Sequence, residues 1–267
     1  MRDGAAKPTG VGRRVRHVMA AAFVVVACVF AVLSYINHYY RATEIARQAL
    51  KGSGRVEVVE TDDYYLFLPD EEERTGEGII FYPGGKVEEC AYAPLMLELA
   101  ECGHEVYLMR MPARLAVLKP NAAGLVMDRQ EGASSTEPAG SMEGQERKWI
   151  LMGHSLGGAM AAGYAAKHSG QVSMLVLLAA YSTADLSDTD IAVLSLYGSE
   201  DGVMNRDKYE KNRTNLPEDA VESVIDGGNH AGFAFYGEQK GDGPAAISRE
   251  EQQEAVADAL RYQLENQ

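Results

Sequence analysis

A chain of 267 residues has room for one large α/β domain or two small ones, each with a full core. Hydrophobic residues at 46% and charged residues at 24% exclude a wholly disordered chain, and 25 Lys+Arg against 39 Asp+Glu give a net charge of −14 that repels nucleic-acid phosphates. Three Cys are too few for a disulfide scaffold or a zinc cage, and no repeat of about 20–50 residues is present, which excludes solenoids and propellers.

The charge is uneven along the chain. Arg2, Lys7, Arg13, Arg14 and Arg16 face only Asp3 within the first sixteen residues, so the acidic excess lies beyond them. Residues 1–17 read as a basic cytoplasmic tail. Residues 18–36 then carry no charge, and at about 1.5 Å per residue they match the roughly 30 Å hydrocarbon core of a bilayer. Tyr35, Tyr39 and Tyr40 supply an interfacial aromatic belt on the far side. Val26-Ala27-Cys28 has some likeness to a lipoprotein cleavage signal, but apolar sequence continues past Cys28. A single-pass anchor over 18–36 in the cell membrane is expected, with cleavage as the alternative. By the positive-inside rule the remainder is extracytoplasmic, following a linker over 37–54.

From residue 55 strands and helices alternate. The β-rich runs 55–60 and 64–68 flank Thr61-Asp62-Asp63 and predict an antiparallel hairpin. Six apolar runs of strand length follow, at 79–82, 105–110, 149–152, 174–180, 193–197 and 221–226. Most are near-continuously hydrophobic, as strands buried on both faces of a parallel sheet must be. Pro94 and Gly103 bracket a helix over 95–102. Ser248-Arg249-Glu250-Glu251 is a capping box opening a last helix that carries Ala255, Val256, Ala259, Leu260 and Leu264 on one face. The expected fold is α/β, a doubly wound and mostly parallel sheet of about eight strands, preceded by one N-terminal transmembrane helix. Residues 131–147 hold almost nothing to bury and read as a mobile polar insert.

The chemistry begins where the run 149–152 enters Gly153-His154-Ser155-Leu156-Gly157-Gly158 and then a small-residue helix. A nucleophile on a sharp strand-to-helix turn needs close backbone approach two positions to either side, which Gly153 and Gly157 permit. A serine is a weak nucleophile alone, so a base and an orienting acid should follow. The run 193–197 ends in Gly198-Ser199-Glu200-Asp201-Gly202, and 221–226 ends in Gly227-Gly228-Asn229-His230. Carboxyl ends of parallel strands share one edge of the sheet. Ser155 is assigned as nucleophile, His230 as general base then acid, and Asp201 as the group that fixes the imidazole tautomer, with Glu200 as the alternative acid. His154 is read as a packing neighbour of the site, while His17, His38, His104 and His168 fall away from the strand tips. Two oxyanion-hole donors are expected. One is the Leu156 N–H, and the other comes from Pro83-Gly84-Gly85-Lys86, with Gly85 chosen and Lys86 the alternative by a one-residue shift.

Together, Tyr82-Pro83-Gly84-Gly85, the Gly153–Gly158 elbow, Gly198–Gly202 and Gly228-Asn229-His230 resemble the alpha/beta-hydrolase superfamily over roughly residues 55–265. The chain is most similar to a small, cap-less, membrane-anchored bacterial branch related to dienelactone-hydrolase-like esterases. The resemblance implies an alpha/beta-hydrolase fold over 55–267, a serine hydrolase acting on a small-molecule carboxylic ester or thioester, and no metal or organic cofactor. Tyr82-Pro83 stands where many members have His-Gly, a departure that bears on the choice between Gly85 and Lys86. Only ten residues, 181–190, separate two central strands, too few for a helical cap, so an open site and a short acyl group are expected. An acyltransferase using the same three residues and a non-catalytic binding module are the competing readings; the only other partner expected is the membrane.

Overall fold

A computed structural model describes residues 10–134 and 149–266. The chain divides into two units, residues 1–39 and 40–267. In the first, helix α1 spans Gly10–Asn37, and its stretch Val15–Asn37 is long and apolar enough to cross a membrane. Its large apolar side chains are exposed, Phe23 and Phe30 to 73% each. The helix begins well before residue 18, because the Arg-rich segment ahead of the apolar run favours helix and gives no stop signal. The rest of the expected tail, residues 1–9, lies outside the described residues.

The second unit begins at Tyr40, not at residue 55. Tyr40 forms a parallel bridge with Val87, and helix α2 (Glu44–Ala49) buries Ala46. The Thr43 side chain caps that helix by accepting the Ala46 N–H. Six residues are too few to show helical periodicity, so the segment reads as a linker from sequence alone.

Eight strands form one sheet: β1 (Val56–Glu60), β2 (Tyr64–Pro69), β3 (Gly78–Tyr82), β4 (Glu105–Met109), β5 (Trp149–His154), β6 (Val172–Leu178), β7 (Ala192–Gly198) and β8 (Val221–Ile225). Their order is β1-β2-β4-β3-β5-β6-β7-β8. The hairpin strands β1 and β2 pair antiparallel, as do β2 and β4, and all other pairs are parallel. Helices α3 (Ala93–Glu101), α4 (Ala122–Ser134), α5 (Leu156–Ala165), α6 (Arg206–Asn212) and α7 (Arg249–Glu265) complete the unit. Helix α4 runs through Ser134, so the polar insert expected from 131 starts within a helix; residues 135–147 lie outside the described residues.

Strand geometry divides the core in two. Successive side chains point to opposite faces, so Ile79 and Phe81 of β3 join one apolar cluster while Ile80 and Tyr82 join the other. The first includes Leu95, Leu99, Val256 and Leu260 from α3 and α7; the second includes Val126, Met127 and Tyr164 from α4 and α5. Both faces being covered is what makes these strands continuously apolar. The registers Tyr82↔Gly153, His154↔Leu178 and Gly198↔Ile225 bring the carboxyl ends of β3, β5, β6, β7 and β8 to one edge.

The capping box at α7 is complete, with Ser248 and Glu251 each taking the other's backbone N–H. Ser248→Ala should lower unfolding stability by about 1 kcal/mol. Urea denaturation followed by fluorescence of the single, buried Trp149 will measure it.

His104, just ahead of β4, is buried beside the Thr75 hydroxyl at 3.1 Å, and burial lowers its pKa to about 4. Its neutral form therefore supports the fold fully above about pH 6.5, and that support is lost as pH falls toward 4, on the order of 3 kcal/mol in all. Glu98, pushed up to about 7 by burial and then by Glu254, Asp258 and Glu101, slopes the opposite way over the same range. The test is thus a difference: between about pH 7 and pH 4.5, His104→Gln should lose less stability in urea than the parent protein does.

Candidate active site

The site starts at the end of β5. Ser155 has φ 51° and ψ −122°, a left-handed backbone at a non-glycine residue, which costs on the order of 1–3 kcal/mol unless its surroundings enforce it. They do. The Ser155 N–H is held by the Leu178 carbonyl at 2.9 Å, and its own carbonyl accepts the Ala159 N–H at 3.2 Å in the first turn of α5. A Cβ at Gly153 would stand 2.7 Å from the backbone of Gly157 and Gly158, and one at Gly157 would collide with the Tyr82 and Pro83 carbonyl oxygens. Both glycines are required by close approach, so the elbow packs directly against the end of β3.

Asp201 follows β7 and His230 follows β8. Asp201 Oδ2 lies 2.9 Å from His230 Nδ1, and both side chains are shielded from solvent. The other carboxylate oxygen accepts the Val203 and Met204 N–H groups, each at 2.8 Å. Burial alone would raise the Asp201 pKa; the hydrogen bond and charge of His230 and the two backbone donors outweigh it and hold the carboxyl below its usual value. With Asp201 ionised, Nδ1 carries the proton and Nε2 is left as an acceptor. Glu200 is exposed and accepts from the Ser199 hydroxyl instead, so it does not serve the imidazole.

The His230 ring stands 4.5 Å, centroid to centroid, from that of His154, the residue before Ser155. The imidazole thus reaches the elbow, although the half-buried Ser155 hydroxyl makes no hydrogen bond among the described residues. Such bonds are commonly long in ligand-free sites and tighten when substrate binds. His168 is elsewhere, stacked on Tyr164 with centroids 3.9 Å apart.

On the other side, the loop after β3 offers three consecutive N–H groups. Gly84 gives its N–H to the Tyr92 hydroxyl at 3.0 Å, and Lys86 gives its N–H to the Arg114 carbonyl at 2.8 Å. No acceptor among the described residues takes the Gly85 N–H. Gly85 also packs against Leu156, since a Cβ there would come within 2.9 Å of Leu156 Cδ2. The Leu156 N–H opens α5 and has no intrahelical acceptor. Among the described residues the Gly85 and Leu156 N–H groups thus have no acceptor, and Gly85 packs against Leu156, the residue next to Ser155 in the chain.

Two supporting residues are not evident from sequence. Asp242 takes the N–H groups of Gly202 (3.1 Å), His230 (3.2 Å) and Ala231 (2.8 Å), tying the acid loop to the histidine loop. Gln252, fully buried on α7, accepts the Asn229 N–H at 3.0 Å and donates to the Asn229 carbonyl at 2.8 Å. The only sequence hint was a Gln among the apolar positions of a helix and an Asp between two glycines. Cys90 is buried and Cys102 is exposed. Among the described residues no group of three or more His, Cys, Asp or Glu side chains gathers as a metal site. No helix or strand lies between β6 and β7, where a cap would be inserted.

A family model described as alpha/beta hydrolase family matches residues 78–254. Among solved structures, the chain is similar to a predicted CIB-like hydrolase from Thermoplasma acidophilum, with a TM-score of 0.53 and 14% identity over 78% of this chain and 98% of that one. At that identity the likeness shows the fold alone. No curated protein matches the sequence. The family match spans well over half of the chain and contains the strand-end loops described above, so this protein belongs to the alpha/beta hydrolase family.

Proposed function

We propose that this hydrolase cleaves carboxylic esters or thioesters through Ser155, His230 and Asp201. The observation that carries the reading is the buried 2.9 Å contact between Asp201 and His230, made by an imidazole that also abuts the nucleophile elbow. In the first half-reaction Ser155 Oγ attacks the substrate carbonyl carbon and gives its proton to His230 Nε2. Asp201 stabilises the resulting imidazolium, and the Gly85 and Leu156 N–H groups receive the negative charge on the former carbonyl oxygen. Collapse breaks the bond to the leaving alcohol or thiol, which departs with the proton from His230. In the second half-reaction water gives a proton to His230 and attacks the acyl-serine; the bond to Ser155 Oγ breaks, Oγ takes that proton back from His230, and the acid is released. The absence of a helix between β6 and β7 leaves little apolar burial for a long acyl chain, which supports a short one.

A fluorophosphonate probe should label the protein, and Ser155→Ala should abolish labelling and lower turnover of short p-nitrophenyl esters by on the order of 10⁴-fold or more. Labelling that survives in Ser155→Ala would sink the assignment. Acyl transfer exceeding hydrolysis when an acceptor alcohol is added would make the enzyme a transferase.

Helix α1 anchors the enzyme in the cell membrane in this reading, with the catalytic unit outside the cytoplasm because the basic residues precede the apolar span. Protease added to intact cells should remove that unit, and its full protection would reverse the orientation.

A further inference from the structure

Beneath the loop after β3, polar groups from three segments meet in a buried contact. Tyr92, fully buried at the entrance to α3, accepts the Gly84 N–H on its hydroxyl oxygen, which lies 2.7 Å from His154 Nδ1. A Cβ at Gly84 would stand 2.7 Å from that hydroxyl and 2.8 Å from Nδ1, so the loop backbone rests directly on the junction. His154 is itself 1% exposed; its Nε2 makes no full hydrogen bond among the described residues, and the His230 backbone is the polar group that approaches the ring.

Hydrogen-bond accounting sets the proton positions. If His154 donated from Nδ1, both the Tyr92 proton and the bare Nε2 would be buried without a partner. If Tyr92 donates to Nδ1, only the Nε2–H is. The second arrangement makes a directed chain from the Gly84 N–H to the Tyr92 hydroxyl to His154. Burial, and then the proximity of His230, keep the His154 pKa well below its ordinary value, so the acceptor at Nδ1 persists at neutral pH.

We propose that Tyr92 is a positioning residue for the oxyanion hole: its hydroxyl pins Gly84 onto His154 and so sets the gap between the Gly85 and Leu156 N–H groups. Gly84 precedes one donor in the chain, while His154 and Leu156 flank Ser155, so one bridge holds both donors. The inference rests on the serine-hydrolase reading. An oxyanion needs its donors about 2.7–3.1 Å away, a demand that the ground-state carbonyl makes less strongly. Loss of the pin should therefore slow chemistry more than it weakens substrate binding.

Tyr92→Phe in the full chain removes the hydroxyl and keeps the ring that packs on Phe81 at 4.9 Å between centroids. On a short p-nitrophenyl ester kcat should fall about 10- to 100-fold, less than the loss on deleting a donor outright, with KM within about threefold. Affinity for a boronic acid, which forms a tetrahedral adduct with the serine, should fall by a factor similar to that for kcat/KM. A lower melting temperature with kcat per folded molecule and boronate affinity both unchanged would make the role merely structural and overturn the proposal. A second pair guards against misfolding: His154→Asn offers an amide oxygen to the Tyr92 hydroxyl and should keep more activity than His154→Leu, and equal activity in the two would also overturn it. If the parent enzyme shows no Ser155-dependent probe labelling, the hydrolase reading falls and takes this inference with it. If the parent labels and Tyr92→Phe labels at the same rate, only the positioning role falls.

Discussion

The close approach of β3, β5 and the start of α5 is the constraint on which the rest of the site depends. Gly153 and Gly157 have no room for a side chain, and the carbonyls of Tyr82 and Pro83 occupy the space that one would need. That contact forces Ser155 into a backbone conformation which the residue would not adopt unaided. The cost is small beside the burial around it, since every residue of β5 is buried between two apolar layers. The same approach sets Gly85 against Leu156, so the feature that strains Ser155 also brings together two residues whose N–H groups have no acceptor among the described residues.

Charge is managed differently at the site and on the surface. The protein is strongly acidic, yet among the described residues only one carboxylate–imidazole pair is buried at the strand ends. A buried ionised carboxylate is costly unless its lone pairs are satisfied, and Asp201 has the imidazole on one oxygen and two backbone N–H groups on the other. Asp242 repeats the solution one layer out, accepting N–H groups from both loops that carry the pair. Gln252 brings α7 into the same arrangement through an amide that both donates to and accepts from Asn229. The imidazole is thereby held from three directions, by a carboxylate, by its own backbone N–H and by the ring of His154.

The central strands β3 to β7 were legible along the chain because burial on both faces demands near-continuous apolar residues, and that demand acts on each strand by itself. The elbow was legible for a similar reason, since Gly153 and Gly157 answer a local steric need two positions from Ser155. The α7 capping box was equally local. Helix α2 was not, since six residues carry too little pattern and it is held by contacts with distant parts of the chain.

Sequence by itself determined the α/β class, the apolar helical stretch Val15–Asn37 to within a few residues, and the strand-end positions of Ser155, Asp201 and His230, because each is written in local periodicity or spacing. Tertiary structure alone decided that Asp201 and not Glu200 meets the imidazole, that among the described residues the Lys86 N–H is taken by Arg114 while the Gly85 N–H is not, and that Tyr92, Asp242 and Gln252 hydrogen-bond to the segments around them. Those choices turn on which hydrogen bonds close between segments tens of residues apart, and a one-residue difference in where a strand ends reverses them.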